Sequence, residues 1–474
     1  MKYIHHTLLL AVLLLSSCSL IEPGDTVSPN VTDDDFLNQP NAMQAWVNGV
    51  EKNFSLTMGY YAQLMEILSD NYYNNYTRSN RDFDEPNIKT NDEDVKQLQR
   101  YVATLRESVD YAFNTVAKHD SHITDDEKLT LYTAKTFSHI LAGEFFTGLP
   151  DKDGGDVVDW KTHLNEAVTY ADSAMLYANT DSAQAFIHTL KARVYYRLGE
   201  ADKAVEEARR SLSLAPDYYK QVYFDGANNV NNVAQEAIWG TWFQPLPRLD
   251  FLDPKYVQLS STYQSPVTIA KAEENYLIIA EAQTCKGQTS AAKETLHNLL
   301  ALVRKRPVLT NVDDHLEGRY NGGSKHYPDS SAYQVAAAPD EPFRSGLVLD
   351  RKVPNLISVP IISGTSVSDA MVDSCSTDDS LLKLVYLLRQ EIFFGEGRRP
   401  ADLGIRLPVC DVEAKHTTTA KGYDTAVVPP FIPTNGGMDD FTMDATTHKV
   451  VIAYDMNRII VQNKHTDYVV PFVQ

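Results

Sequence analysis

Positive charge is scarce in this chain. It holds 43 Lys and Arg against 63 Asp and Glu, a formal charge of −20. Such a surface repels phosphate backbones and anionic lipid headgroups, which argues against nucleic acid as a partner. Cysteine is scarcer still: Cys18, Cys285, Cys375 and Cys410 among 474 residues. No two form a CxxC pair and none joins a histidine cluster at zinc spacing, so no metal site is expected. Cys375 and Cys410 are the pair that could bond in an oxidising compartment. After the N-terminus no apolar run is long enough to span a bilayer as a helix. A nucleophile elbow, an HExxH helix and a Gly-rich phosphate loop are also missing. The sequence therefore nominates no catalytic residue and no cofactor. A glycoside hydrolase working through an unmarked carboxylate pair is the enzyme alternative that is left.

What is present begins with an export signal. Residues 1–17 carry Lys2 and then the apolar run Leu8–Leu15. The following Leu15-Ser16-Ser17-Cys18 resembles a bacterial lipobox, which implies cleavage before Cys18 and its acylation. A lipid on Cys18 anchors a protein to a membrane without spanning it. Residues 18–31, with Pro23, Gly24 and Pro29, read as a tether. Residues 32–474 read as one domain: a helical repeat scaffold over about 92–306, a C-terminal helix over 378–404, and variable, loop-rich parts over about 307–377 and 405–474.

Helices announce themselves by their caps. Thr32 precedes three aspartates, Asn91-Asp92-Glu93-Asp94 opens a helix to about Lys118, and Thr124-Asp125-Asp126-Glu127 is a capping box. Ala192, Gly199, Ala204, Ala208 and Pro216 follow the spacing of a tetratricopeptide repeat. Ala280, Gly287, Ala292 and Leu296 repeat that register. Small residues let antiparallel helices touch, and glycine makes the turn between them. Together these predict a mostly α fold, tetratricopeptide-like hairpins serving as scaffold for a half with only a few short strands. Asp151–Asp156 invites a calcium reading, but Thr162 stands where an EF-hand needs its glutamate, so a solvated loop is expected.

Ser69–Arg81 crowds tyrosine, asparagine and arginine without apolar periodicity, which predicts a loop. Tyrosine faces stack on sugars or peptides, while Asn, Asp and Arg give directional hydrogen bonds. Asp70, Tyr72, Tyr73, Asn75, Tyr76, Arg78 and Arg81 are the candidate ligand contacts here. Further on, Glu236–Pro245 reads as a short strand, with Trp239 turned to the core and Trp242, Phe243 and Gln244 offered as a ligand platform.

Leu381–Arg406 is the densest stretch. Leu381, Leu384, Leu387 and Leu388 make one apolar helical stripe, and Arg389, Glu391, Glu396, Arg398, Arg399 and Asp402 then crowd around Ile392, Phe393 and Phe394. Charges on so apolar a segment survive burial only when paired, so an interlocked Arg/carboxylate network is expected. Glu396, Gly397, Arg399, Asp402 and Leu403 resemble the C-terminal signature of the SusD/RagB family. Glu391 lies one residue further from Glu396 than that signature places it, which a π-bulge would absorb. Segment 276–306, with Glu281, Val303, Arg304 and Arg306, also resembles the family's central motif, and Glu281 is expected to pair with those arginines. The resemblance implies a lipoprotein of the outer membrane, facing the cell exterior. It implies a lid over a SusC-like TonB-dependent transporter, with an oligosaccharide as ligand and an oligopeptide as the alternative. A repeat-type adaptor gripping a protein partner is the remaining reading.

Overall fold

The computed structural model describes residues 33–74, 80–239, 242–313, 327–350, 356–433 and 437–473. The export signal, Cys18, the tether, Asn75, Tyr76 and Arg78 lie outside the described residues.

A long helix, α1 (Ala42–Ile67), runs through the first half. Its Val47, Val50, Phe54, Met58, Tyr61 and Met65 are buried against α2 (Glu93–Tyr111) and α3 (Asp125–Phe145). Caps start these helices where the sequence places them. The Asp92 side chain accepts from the Asp94 amide, and Thr124 and Glu127 complete a reciprocal capping box. The run expected to end near Lys118 does so, after a π turn at Ala112–Val116.

Three antiparallel hairpins follow from pairing in chain order. The first joins α3 to α4 (Trp160–Met175), through two short strands, β2 (Gly148–Pro150) and β3 (Val157–Asp159). The second joins α5 (Asp181–Leu198) to α6 (Ala201–Leu214), and the third joins α8 (Ala272–Cys285) to α9 (Thr289–Val303). The turns need left-handed backbone: Gly199 has φ +78° and Gly287 φ +67°. Ala192, Ala204 and Ala208 are fully buried and pack on Ile278 and Ile279 of α8. Ala280, Ala292 and Leu296 meet the Leu381, Leu384, Val385 and Leu388 stripe of α10 (Asp378–Ile392). The predicted repeat register and the C-terminal apolar stripe thus form one packed layer. No π-bulge occurs in α10, which runs regularly to Ile392.

Two local expectations are corrected. The tyrosine-asparagine segment begins as a strand: β1 (Tyr72–Asn74) pairs antiparallel with β5 (Phe243–Pro245), Tyr73 opposite Gln244. Conversely, the expected strand at Glu236 is a helix, α7 (Val233–Trp239), because the Asn232 side-chain oxygen, Oδ1, caps the Ala234 and Gln235 amides. Trp239 packs half-buried on Val257, Val312 and Val359.

The loop-rich half carries a two-stranded ribbon, β7 (Val308–Asp313) with β10 (Leu356–Pro360), and a four-stranded sheet. That sheet orders β11 (Phe441–Asp444), β12 (Lys449–Ile452), β8 (Gln334–Ala336) and β9 (Phe343–Arg344), with β12 and β8 parallel. After β12 the tail turns helical, α11 (Met456–Gln462), because the Asp455 side chain caps the Arg458 amide. Cys375 and Cys410 are free thiols, as is Cys285. Among the described residues no helix is long and apolar enough to cross a membrane.

Candidate functional site

The charge network that the C-terminal stretch predicts is present in the interior. Arg389 grips Asp402 through two hydrogen bonds of 3.0 and 2.8 Å. Arg398 reaches Glu274 at 2.5 Å, and Arg399 reaches Asp70 at 2.6 and 3.1 Å. All of these side chains are buried. Burial alone would raise the Asp402 carboxyl, but Arg389 and Arg197 outweigh it and hold the group well below its usual range. Glu396 binds two ammonium groups, Lys255 at 2.8 Å and Lys271 at 2.6 Å. Burial still pushes the Lys271 ammonium down to about 8. Glu391 takes no arginine: the Thr365 and Ser366 hydroxyls and the Ser366 amide satisfy it.

Glu281 is corrected. It accepts from the Tyr196 hydroxyl at 2.9 Å instead of pairing with Arg304 or Arg306, and burial lifts it to about 7. Arg306 binds Glu273, and Arg304 binds Asp369.

This network absorbs part of the sequence-predicted site. Asp70 is spent on Arg399 and on the Gln390 amide. Tyr72 stacks on Phe394, centroids 4.9 Å apart, and its hydroxyl donates to Asp253 at 3.0 Å. The Tyr73 ring meets Phe441 at 5.8 Å. Asp70, Tyr72 and Tyr73 are each 2% exposed or less, so the expected open face is corrected to interior packing. The physical reason is the β1–β5 pair, which is covered on both faces. Phe243 and Gln244 are buried in it for the same cause. Arg81 stays at the surface, its guanidinium 2.9 Å from Glu85.

Trp242 is different. It is 40% exposed, and its amide is anchored at 3.1 Å to the Ala237 carbonyl, just beyond α7. Its side chain edges a cleft of about 260 Å³ that also receives Tyr60 and Gln63 of α1, Gln97 of α2, Asn80 and Glu236. Tyr60 stacks on Tyr101, ring centroids 4.5 Å apart at 29°. The Asn80 amide donates to Asp94 at 2.6 Å. Burial lifts Asp94 to about 6 against that hydrogen bond, and Asp92 and Glu93 add to the rise.

The cleft therefore offers a partly exposed indole, the Tyr60 ring backed by Tyr101, three side-chain amides and two carboxylates. That is the equipment for recognising a ring bearing hydroxyls by stacking and hydrogen bonding. Among the described residues no cluster of His, Cys, Asp and Glu could hold a metal ion. Of the predicted contacts among the described residues, only Trp242 lines this cleft. Tyr60, Gln63 and Gln97, which also line it, were not foreseen. Tyr60 and Gln63 are three apart on α1, the spacing that puts polar and aromatic groups on one helix face.

No family model matches the sequence, and no curated protein matches it either. Solved structures do. A SusD superfamily protein from Bacteroides fragilis is similar with a TM-score of 0.50 and 14% identity, over 81% of this chain and 99% of that one. A SusD-like carbohydrate binding protein from Bacteroides vulgatus gives 0.48 and 10%, over 76% and 82%. B. fragilis NanU gives 0.46 and 11%, over 83% and 94%.

Proposed function

On a fold that is that of the SusD superfamily, we propose a cell-surface lipoprotein that captures an oligosaccharide at the Trp242 cleft. Cys18 is its lipid anchor to the outer membrane. Its receiver is a SusC-like TonB-dependent transporter, over which it acts as lid. One observation carries the ligand class: an indole left 40% exposed beside three amide side chains in one cleft. Exposed indole in water is unfavourable, and a pyranose face covers it while the amides bind the ring's hydroxyls.

Capture needs no bond cleavage. The scaffold holds Tyr60 and Gln63 on α1 and Gln97 on α2, so little side-chain freedom is lost on binding. Asp70, fixed by Arg399, holds the start of the segment that leads into Asn75, Tyr76 and Arg78, which are proposed to complete the site together with Arg81. The acid-rich surface suits a neutral or cationic ligand.

A panel of purified oligosaccharides and oligopeptides, titrated calorimetrically against wild type and Trp242→Ala, tests the reading. Saccharide binding weakened by Trp242→Ala is expected. Binding confined to peptides, or sustained cleavage of the saccharides, would reject it. Co-purification of a barrel transporter after detergent extraction tests the partner.

A further inference from the structure

We infer that the protein carries a second saccharide-binding groove, separate from the Trp242 cleft, with Tyr219 and Tyr223 as its stacking surfaces. The inference borrows only the ligand class from the proposed function. The groove has a volume of about 680 Å³, inside the range of small-molecule sites. Its walls are the N-terminal half of α1, with Asn48 and Lys52, and a strand, β4 (Tyr219–Val222), paired with β6 (Val267–Lys271), with the Tyr223 that follows β4.

The exposed aromatics point to it. Among the described residues five aromatic side chains are exposed: Tyr219 at 41%, Tyr223 at 69%, Trp242, Phe343 and Tyr468. Two of the five line this groove. An exposed aromatic pair along one concavity is how a protein keeps stacking surfaces ready for sugar rings.

Tyr219 is also held from behind. The Arg306 guanidinium sits 5.3 Å from its ring centroid and does not itself line the groove. Arg306 is fixed in turn by Glu273 at 2.7 and 2.6 Å and by the Asp217 carbonyl at 2.6 Å. One face of the ring is thus clamped and the other left open, so a ligand meets a surface already ordered. Polar groups surround it. Lys52 and Lys220 line the groove and make no ion pair among the described residues, and Thr130 and Thr133 add hydroxyls. These donors match the hydroxyl and ring oxygens of a pyranose.

The two cavities can be separated experimentally. Lys52 and Gln63 lie eleven positions apart on α1, about 17 Å along its axis. Between them Phe224 roofs the helix at Gly59, where an added Cβ would stand 3.2 Å from the ring.

The test uses the full chain with maltoheptaose, xylohexaose and an oligogalacturonate as separate probes, read by calorimetry and saturation-transfer NMR. The variants are Tyr223→Ala, Trp242→Ala and the double change. Both residues are exposed, and circular dichroism checks the fold. For at least one probe, binding is expected to persist in Trp242→Ala and to weaken about tenfold or more in Tyr223→Ala. If every affinity in Tyr223→Ala stays within about twofold of wild type while Trp242→Ala abolishes binding, the second groove is rejected and the proposed function stands. If no probe binds wild type, both are rejected.

Discussion

Asp70 and Arg399 stand 329 positions apart in the chain and meet as a buried, two-bonded ion pair at 2.6 and 3.1 Å. Arg399 belongs to the densest charge cluster in the sequence, and Asp70 opens the tyrosine-asparagine segment. The pair therefore pins the start of that segment to the short helix Arg399–Leu403 that follows α10.

Breaking that pair leaves a buried guanidinium without its counter-charge. Asp70→Ala is expected to lower unfolding stability by about 3–5 kcal/mol. Arg81→Ala, which loses only an exposed pair with Glu85, should change it by less than about 1 kcal/mol. Denaturant titration of both variants checks the contrast.

Trp242 and Tyr73 should separate binding from folding. Trp242→Ala removes an exposed side chain and is expected to change stability by less than about 1 kcal/mol while weakening ligand by roughly tenfold. Tyr73→Ala empties interior space among Gln244, Tyr327 and Phe441, and a cost of about 3–5 kcal/mol is expected. Calorimetric binding beside thermal unfolding reads both quantities.

A buried histidine pair gives a pH dependence. His163 Nε2 donates to the Leu149 carbonyl at 2.9 Å, so its Nδ1 accepts from His139 Nδ1 at 3.1 Å. Both rings are neutral, and burial drives His163 down to about 4. The unfolded ring binds a proton near 6.5 and the folded one only near 4, so acid favours unfolding. This contribution is fully present above pH 6.5 and falls away between 6.5 and about 4. The stability lost amounts to roughly 3 kcal/mol once pH is below 4. His163→Gln should flatten that part of the stability profile. An unchanged slope between pH 4 and 6.5 would show that the ring is not held neutral.

Two glycines with similar backbone should respond unequally to alanine. At Gly287, φ +67°, nothing lies within 4 Å of the added Cβ. Only the left-handed conformation resists, at about 1 kcal/mol. At Gly397, also φ +67°, the Cβ would stand 2.7 Å from the Tyr61 carbonyl oxygen. That oxygen is backbone of α1 and cannot swing aside, so Gly397→Ala is expected to cost more than about 3 kcal/mol. Paired thermal melts decide it.

What could be read in the sequence was whatever repeats or pairs locally. Small residues at Ala192, Ala204 and Ala208 with Gly199 between them specify a hairpin through neighbours alone. The charges of Leu381–Arg406 had to be buried, so a network followed. Its partners did not, because Asp70, Glu274 and Lys271 come from elements far away in sequence. Tyr72 and Tyr73 misled for the same reason: residues rich in Asn look like loop until a strand at Phe243–Pro245 arrives to pair with them. Glu236 was misassigned because the Asn232 cap, four residues earlier, outweighed the apolar-aromatic pattern after it. Helical spacing puts Tyr60 and Gln63 on one face of α1, but it does not say that this face meets Gln97 of α2 and Trp242, so the cleft they form together becomes visible only after packing.

The wide sequence separation within the charge network bears on synthesis. Until Arg398, Arg399 and Glu396 emerge, Asp70, Glu274, Lys255 and Lys271 have no counter-ions to meet. A nascent chain can form hairpins early, but it cannot close its interior until the last stretch has left the ribosome. A polypeptide that stays open this long remains threadable, which suits the export proposed for this chain.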